Sequence, residues 1–232
     1  MILLPLLLAA AATPILAPTP DAAMALLLDL DRRSALQSAE GRALLAGELD
    51  RVDAPTFGDL GAPDKIQMVA PATAVARIPA NGSHPDLYFF LTNTSGWTIT
   101  AARSLALTGL LQELIRLDEA NPSKDPKVRQ SVKNARLTLA TDRELLAWAG
   151  TNRALLERAR TAPDAPGVEA ALKEAGANRA YRDGAAVHVS IGGVLDNEVS
   201  FLWTAGAPPA MDPHSYIWVE AAGSGWYLYK TT

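Results

Sequence analysis

The chain has 232 residues, of which 49% are hydrophobic and 20% are charged, and its formal net charge is −4. These values are typical of a globular protein, and they argue against a disordered chain, a fibrous repeat and a strongly basic nucleic-acid-binding surface. The chain has no cysteine, which excludes disulfide bonds, thiolate catalysis and cysteine-ligated metals.

The first segment of the chain is short and apolar. Residues 2–12 contain only leucine, isoleucine, alanine and proline, and the first charged side chain is Asp21. A run of this length suits the core of a signal peptide and is too short to span a bilayer. Ala10 and Ala12 form a cleavage pattern, although no Lys or Arg precedes the run. We predict a signal peptide over residues 1–18 and a periplasmic or secreted protein with no transmembrane helix in the mature chain; an uncleaved anchor or a misplaced start is the alternative.

Residues 19–121 are predicted to form a helix followed by an antiparallel sheet. Thr19, Pro20 and Asp21 are typical of a helix start, because the threonine can cap, the proline has a helical φ and the carboxylate meets the positive end of the helix dipole. Short β-prone runs at 65–69, 73–78, 87–91 and 97–102 then predict a meander. A further helix, ended by Asn121-Pro122, is predicted from leucines at helical spacing: Leu107, Leu110, Leu111, Leu114 and Leu117.

Residues 122–232 are predicted to form a helical segment followed by a second antiparallel sheet. One helix begins at Asp125-Pro126, and another begins at Thr141, which forms a capping box with Glu144. The second of these carries a stripe of Leu145, Ala149, Asn152, Leu156 and Ala159. A last helix is predicted from about Gly167 to Tyr181, followed by strands at 187–191 and 199–203 and by a closing hairpin at 215–232.

The hairpin predicted at 215–232 is similar in sequence to an earlier segment of the chain. Tyr216 and Trp226 flank a Gly-Ser-Gly turn, and Tyr88 and Trp97 stand in the same order around Ser95-Gly96. Two readings are open, an internal duplication and the coincidence that Gly-Trp hairpins share this composition.

The first unit resembles the NTF2-like superfamily. The resemblance rests on a long N-terminal helix followed by antiparallel strands, with Ser95-Gly96-Trp97-Thr98-Ile99 beginning a late strand. It covers residues 20–105 and implies a curved sheet wrapped around a helix to form a cone-shaped pocket. It brings no acid or base residue with it. The end of the second unit, Gly225–Lys230, looks like the C-terminal part of uncharacterised exported bacterial proteins.

Aromatic residues are concentrated in the second sheet and supply the first candidate site. Alternation places Tyr216 and Trp218 on one face of a strand, opposite Ile217 and Val219. If the aliphatic face is the core, the two rings are open to a sugar or a protein partner; if both faces are covered, they are core residues.

His188 and Ser190 are the second candidate, because alternation turns both away from Val187, Val189 and Ile191. They are either polar groups of a pocket or side chains with ordinary hydrogen-bond partners. No hydrolase elbow, phosphate loop, calcium loop or metal-binding histidine spacing occurs in the sequence, so no catalytic residue, metal or cofactor is predicted.

Charge and turn chemistry supply weaker candidates. Residues 121–182 hold twelve Lys and Arg against seven Asp and Glu, whereas residues 183–232 hold one against five. The basic helices face either an acidic partner or membrane, or simply solvent and the acidic sheet of their own chain. The stretches 196–198 and 212–214 combine carboxylates with Asn or His, a composition that suits either a cation site or ordinary turns.

Together these features predict an α+β protein of two helix-plus-antiparallel-meander units, NTF2-like or cystatin-like. We expect a non-enzymatic exported protein that binds an unknown small molecule or protein partner and no nucleic acid, through Tyr216, Trp218, His188 and Ser190. The main alternative is an NTF2-like pocket enzyme, a lyase, isomerase or hydrolase that uses His188 or a nearby carboxylate as a base. A third possibility is a structural envelope protein.

Overall fold

A computed structural model describes residues 17–52, 57, 60–81, 85–106, 108–194 and 197–232. Within these residues the chain forms seven α-helices and two antiparallel sheets, so the predicted α+β class is confirmed. The predicted signal peptide lies outside the described residues except for its last two positions, and so do His84 and Leu107. No helix in this part of the chain is long and apolar enough to cross a membrane.

The nine strands of the described residues divide into an N-terminal and a C-terminal sheet. The N-terminal sheet follows chain order, β1-β2-β3-β4, and the C-terminal sheet has the order β5-β6-β7-β9-β8. The strands are β1 (Lys65–Ala70), β2 (Thr73–Ile78), β3 (Leu87–Asn93), β4 (Trp97–Ser104), β5 (Arg179–Asp183), β6 (Ala186–Val194), β7 (Asn197–Trp203), β8 (Tyr216–Gly223) and β9 (Trp226–Thr231).

Three of the helices begin where their capping residues predict. The hydroxyl of Thr19 accepts from the N–H of Ala22 at 3.1 Å, Asp125 accepts from the N–H of Lys127, and both halves of the Thr141 capping box form. The helices are α1 (Pro20–Arg32), α2 (Ala39–Leu44), α3 (Thr108–Ala120), α4 (Pro126–Thr138), α5 (Asp142–Thr151), α6 (Arg153–Thr161) and α7 (Pro166–Glu174).

The N-terminal sheet is covered on both faces. One face packs against α1 and α2, where Leu27, Leu30, Phe89 and Ile99 are fully buried. The other face contacts the C-terminal sheet through a second cluster of buried residues: Val75, Tyr88, Phe90, Ala101, Ile217 and Trp218. The two sheets therefore share a core, and the second face of the N-terminal sheet is closed by β8.

The C-terminal sheet buries one face under the helices. The aliphatic face predicted for β6 is confirmed, because Val187, Val189 and Ile191 are fully buried in one cluster with residues of α5, α6 and α7. Gly192 lets α4 approach β6, since a Cβ there would lie 2.1 Å from the hydroxyl of Thr138.

Two boundaries in the helical segment differ from the prediction. The last helix ends at Glu174 rather than near Tyr181, because Gly176 adopts φ +94° and turns the chain into β5, where Tyr181 pairs with His188. The predicted stripe through Asn152 is divided between α5 and α6, since Asn152 itself has left helical geometry.

The two hairpins that are similar in sequence, β3–β4 and β8–β9, occupy different positions in their sheets. β3 and β4 follow chain order with β4 at the edge, whereas β9 inserts between β7 and β8 and leaves β8 at the edge. The likeness between the hairpins is therefore local and does not extend to the topology of the sheets.

Candidate ligand face and a buried charge network

The two aromatic residues of β8 lie on opposite faces of the C-terminal sheet. The register shifts between Tyr216 and Trp218, so that Tyr216 pairs with Thr231 and Trp218 with Lys230. This β-bulge places Ile217 and Trp218 in the cluster between the sheets, while Tyr216 packs with Val219. The prediction that Tyr216 and Trp218 share a face is wrong, because strict alternation does not continue through a bulge.

Trp218 is a core residue. It is fully buried, and its ring stacks on Tyr88 at 5.2 Å between centroids. Its indole N–H donates to Oε2 of Glu220 at 3.0 Å, which provides the polar partner that a buried tryptophan requires. Trp218 is therefore unavailable to a ligand at the surface.

His188 belongs to a tyrosine–histidine cluster, which we define as Tyr181, His188, Glu198, Ser200 and Tyr229. The Tyr229 hydroxyl lies 3.0 Å from Nδ1 of His188 and donates to Oε2 of Glu198 at 2.8 Å. Ser200 donates to the other oxygen of Glu198 at 2.5 Å, and Tyr181 stacks on the His188 ring at 4.8 Å. Because the single Tyr229 proton goes to Glu198, Nδ1 of His188 donates to Tyr229, and Nε2 carries the lone pair.

The surroundings of the cluster keep its histidine and tyrosines neutral near pH 7. Burial lowers the pKa of His188, against the opposing effect of the Glu198 and Asp183 charges. Burial and the Glu198 charge raise the pKa of Tyr229 above its ordinary value, and the same two causes raise the pKa of Tyr181. The cluster is thus a chain of neutral groups that ends on one carboxylate.

An aromatic surface surrounds this cluster, on the face of the C-terminal sheet that points away from the helices. Tyr181, Tyr216 and Tyr227 are half-buried there, and beneath them Leu202 and Val219 are buried. We call the three half-buried rings together with the tyrosine–histidine cluster the outer face. Ser190 is half-buried beside it, opposite Ser200 in the β-ladder. Of the four predicted site residues, the outer face thus holds Tyr216 and His188, with Ser190 next to them.

A second polar cluster joins the two sheets, and we call it the inter-sheet network. Arg77 on β2 is at its centre, with one guanidinium nitrogen 3.0 Å from Asp142 and 2.8 Å from Glu220. Lys230 on β9 lies 2.8 Å from Asp142 and 3.3 Å from Asp86. These five side chains are each less than a tenth exposed. The network is completed by Asp64 and Lys65, which pair with Arg77 and Glu220, and by Tyr88, which donates to Asp142 at 2.9 Å.

The inter-sheet network keeps its cations charged. Burial by itself lowers the pKa of Arg77, yet the hydrogen bond to Asp64 and the charge of Asp142 raise it above its ordinary value. Burial likewise opposes protonation of Lys230, and Asp142 and Asp86 outweigh it, so its pKa is raised. A cleft of about 320 Å³ opens beside Arg77 and Asp142. The groups at its floor already bind one another, so the network chiefly ties the sheets together.

Sequence reasoning missed the inter-sheet network, although each strand carried a signal. Arg77, Glu220 and Lys230 are single charges inside β-prone apolar runs. A charge in such a position is rarely buried unless it is paired. That rule predicts that each of the three residues pairs with another buried charge, but it does not identify the partner.

Of the weaker candidates, Glu198 belongs to the tyrosine–histidine cluster, whereas Asp212 and His214 are turn and surface residues. Asp212 accepts from the N–H of His214 at 2.8 Å, the bond that turn chemistry predicts, and the His214 side chain is 72% exposed. Asp196 lies outside the described residues. Within the described part of the chain, no group of three or more His, Asp or Glu side chains is placed to hold a metal ion.

Comparison with known proteins found no matching family model, no matching curated protein and no matching solved structure.

Proposed function

We propose that this chain is an exported, non-enzymatic binding protein whose ligand lies on the outer face of the C-terminal sheet. The observation that carries the proposal is the set of three half-buried tyrosines, Tyr181, Tyr216 and Tyr227, on a sheet face that none of the described helices covers. Tyrosine combines a large apolar ring with a hydroxyl group and loses little side-chain entropy on binding, which makes it common at binding surfaces.

The chemistry of the outer face favours a ligand that has both apolar patches and hydroxyl groups. The rings offer apolar contact, and the polar groups beneath them are hydroxyls, an imidazole and the Glu198 carboxylate. A carbohydrate is the simplest class with this combination, because its C–H groups pack on rings while its hydroxyls donate to carboxylates.

Affinity electrophoresis in gels that contain soluble polysaccharides tests this proposal. The wild-type protein should be retarded by at least one polysaccharide, and Tyr216→Ala and Tyr227→Ala should each migrate faster in that gel. Met68→Ala serves as the control, because Met68 is 55% exposed on β1 in the other sheet. Retardation that is unchanged in both tyrosine variants, or absent from every gel, would remove carbohydrate binding from the outer face.

Export is part of the proposal and rests on the apolar run at residues 2–12. The intact mass of the protein recovered from outside the cytoplasm should lack a segment that ends between Ala12 and Pro18. A full-length mass would contradict a cleaved signal peptide.

One observation favours the enzymatic alternative, namely the hydrogen-bonded series His188–Tyr229–Glu198. A neutral imidazole oriented through Nδ1 has the form of a general base. Against this role, Tyr181 stacks flat on the ring with an interplanar angle of 4°. As a base, His188 would have to reach the substrate through Nε2. His188→Gln should therefore abolish turnover of any substrate that is found, whereas Tyr216→Ala should remain nearly active.

A further inference from the structure

Helix α3 carries a leucine surface that its packing leaves open. Helix positions rotate by about 100° per residue, so Leu110, Leu114, Leu117, Leu111 and Ile115 together span about 160° of the helix. α3 packs chiefly on α4, and no residue of α3 is fully buried. Leu110 is 64% exposed and Leu117 is 54% exposed. The apolar stripe is therefore wider than the part of it that contacts α4.

A groove runs beside this leucine surface. It is an open depression of about 540 Å³, and its floor combines Ile115 of α3 with Leu137, Leu139 and Ala140 at the end of α4. Lys133, Arg136 and Glu144 also line it, so the charged part of its lining is net positive. An apolar floor with a net positive lining suits an apolar helix that bears acidic side chains.

Charge on the two helices is complementary. Residues of α3 include three acidic side chains and one basic, whereas α4 has four basic side chains and none that is acidic. The contact between Arg136 and Glu119, at 3.0 Å, shows this attraction within one chain. α3 thus has the composition that the groove favours, and each copy of the chain has both parts.

We propose that α3 and α4 form the interface of a homodimer, in which the leucine surface of α3 from one copy lies in the α3–α4 groove of the other. In a two-fold arrangement each copy places its leucine surface in the groove of the other, because both copies use the same patch. The α3–α4 hairpins of the two copies then form a four-helix layer. The two α3 helices lie antiparallel and are closest near Leu114, so that Leu110 of one copy lies near Leu117 of the other. A single α3 of thirteen residues is too short for a coiled coil of its own, and the partner's α4 supplies the missing surface.

Sedimentation velocity over a concentration series tests the dimer. The wild-type protein should change from monomer to dimer as its concentration rises, and Leu110→Lys/Leu117→Lys should raise the dissociation constant more than tenfold. The control is Gln112→Lys, which adds one positive charge, against two in the double variant, on the exposed opposite side of α3 and should leave the constant within about twofold. All three proteins should keep the same far-UV circular dichroism, because the two leucines are exposed in the single chain.

A thiol placed at the interface locates it. The chain has no cysteine, so Leu114→Cys introduces the only thiol and should give a covalent dimer on mild oxidation, whereas Gln112→Cys should not. A monomeric wild type at about 100 µM, or a dimer that survives the double lysine substitution, overturns the proposal. A monomer that binds anionic phospholipid vesicles through Leu110 and Leu117 also overturns it and assigns the surface to a membrane instead.

Discussion

The two polar clusters of this molecule meet on adjacent residues of one strand. Tyr229 points to the outer face and is the centre of the tyrosine–histidine cluster, whereas Lys230 points to the opposite face and joins the inter-sheet network. The first cluster holds one carboxylate among neutral groups, and the second holds three cations and four carboxylates in mutual contact. One strand thus separates a weakly charged cluster beneath an aromatic surface from a strongly charged cluster between the two sheets.

This difference indicates different roles for the two clusters. Buried charges that bind one another fix the relative position of the elements that carry them, since any displacement leaves an unpaired charge in a site of low dielectric. Neutral rings and hydroxyls at a half-buried surface can exchange their contacts with those of a ligand at little cost. We therefore assign the inter-sheet network to the architecture and propose the outer face for binding.

The largest effect is expected from breaking the inter-sheet network. Arg77→Leu leaves Asp64, Asp142 and Glu220 without their shared cation and should lower the free energy of unfolding by about 5 kcal/mol, the upper end for a broken buried pair. Urea denaturation measures it. Arg116→Leu breaks an exposed ion pair on α3 and should leave the urea midpoint unchanged within error. Equal effects of the two substitutions would refute a structural role for the network.

Substitution of the two aromatic residues of β8 distinguishes its buried face from its outer face by the effect on the free energy of unfolding. Trp218→Ala empties a fully buried site and should lower the free energy of unfolding by about 4 kcal/mol. Tyr216→Ala, at the half-buried outer face, should lower it by about 1 kcal/mol. Thermal and urea unfolding of both variants provide the measurement. If Tyr216→Ala were as damaging as Trp218→Ala, the outer face would be core, and the proposed binding surface would be lost.

The smallest effect is a pH dependence that His188 contributes. Its pKa in the folded protein lies below the ordinary value of about 6.5. Between those two values the unfolded chain binds a proton that the folded chain does not, so the free energy of unfolding falls as the pH drops through this window. The neighbours Tyr181, Tyr229, Glu198 and Asp183 remain in His188→Gln, which should show a shallower loss of stability between about pH 7 and pH 5. Exposed His214→Gln is the control, and an identical slope in wild type and His188→Gln would contradict the buried, neutral imidazole.

The sequence predicted elements well where one local rule decides them. Thr19, Asp125 and the Thr141–Glu144 pair each satisfy backbone N–H groups within their own helix turn, so their sequence context suffices. The core side of β6 followed from alternation for the same reason. The last helix was predicted too long although its stop signal is local: Gly176 adopts φ +94°, and the N–H of Ala177 donates to the carbonyl of Leu172 to close the helix end.

The candidate site was predicted only in part. His188 and Tyr216 were identified from alternation, but the bulge that removes Trp218 from the outer face arises from pairing with β9. The role of Tyr229 depends on contacts with residues 31 and 41 positions away. The partners of Arg77 are up to 143 positions distant, and no local pattern encodes them.

The strand order of the C-terminal sheet also has a kinetic consequence. β8 pairs only with β9 in this sheet, whereas β9 also pairs with β7. The β8–β9 hairpin closes through a short glycine turn, so it is the fast local step, and its docking on β7 must close the longer loop at 204–215. That docking brings Tyr229 to Glu198 on β7, whereas Lys230 meets Asp142 and Asp86 only when α5 and the N-terminal sheet pack. We therefore expect the β9 amides that bond to β8 to gain protection against hydrogen exchange before those that bond to β7.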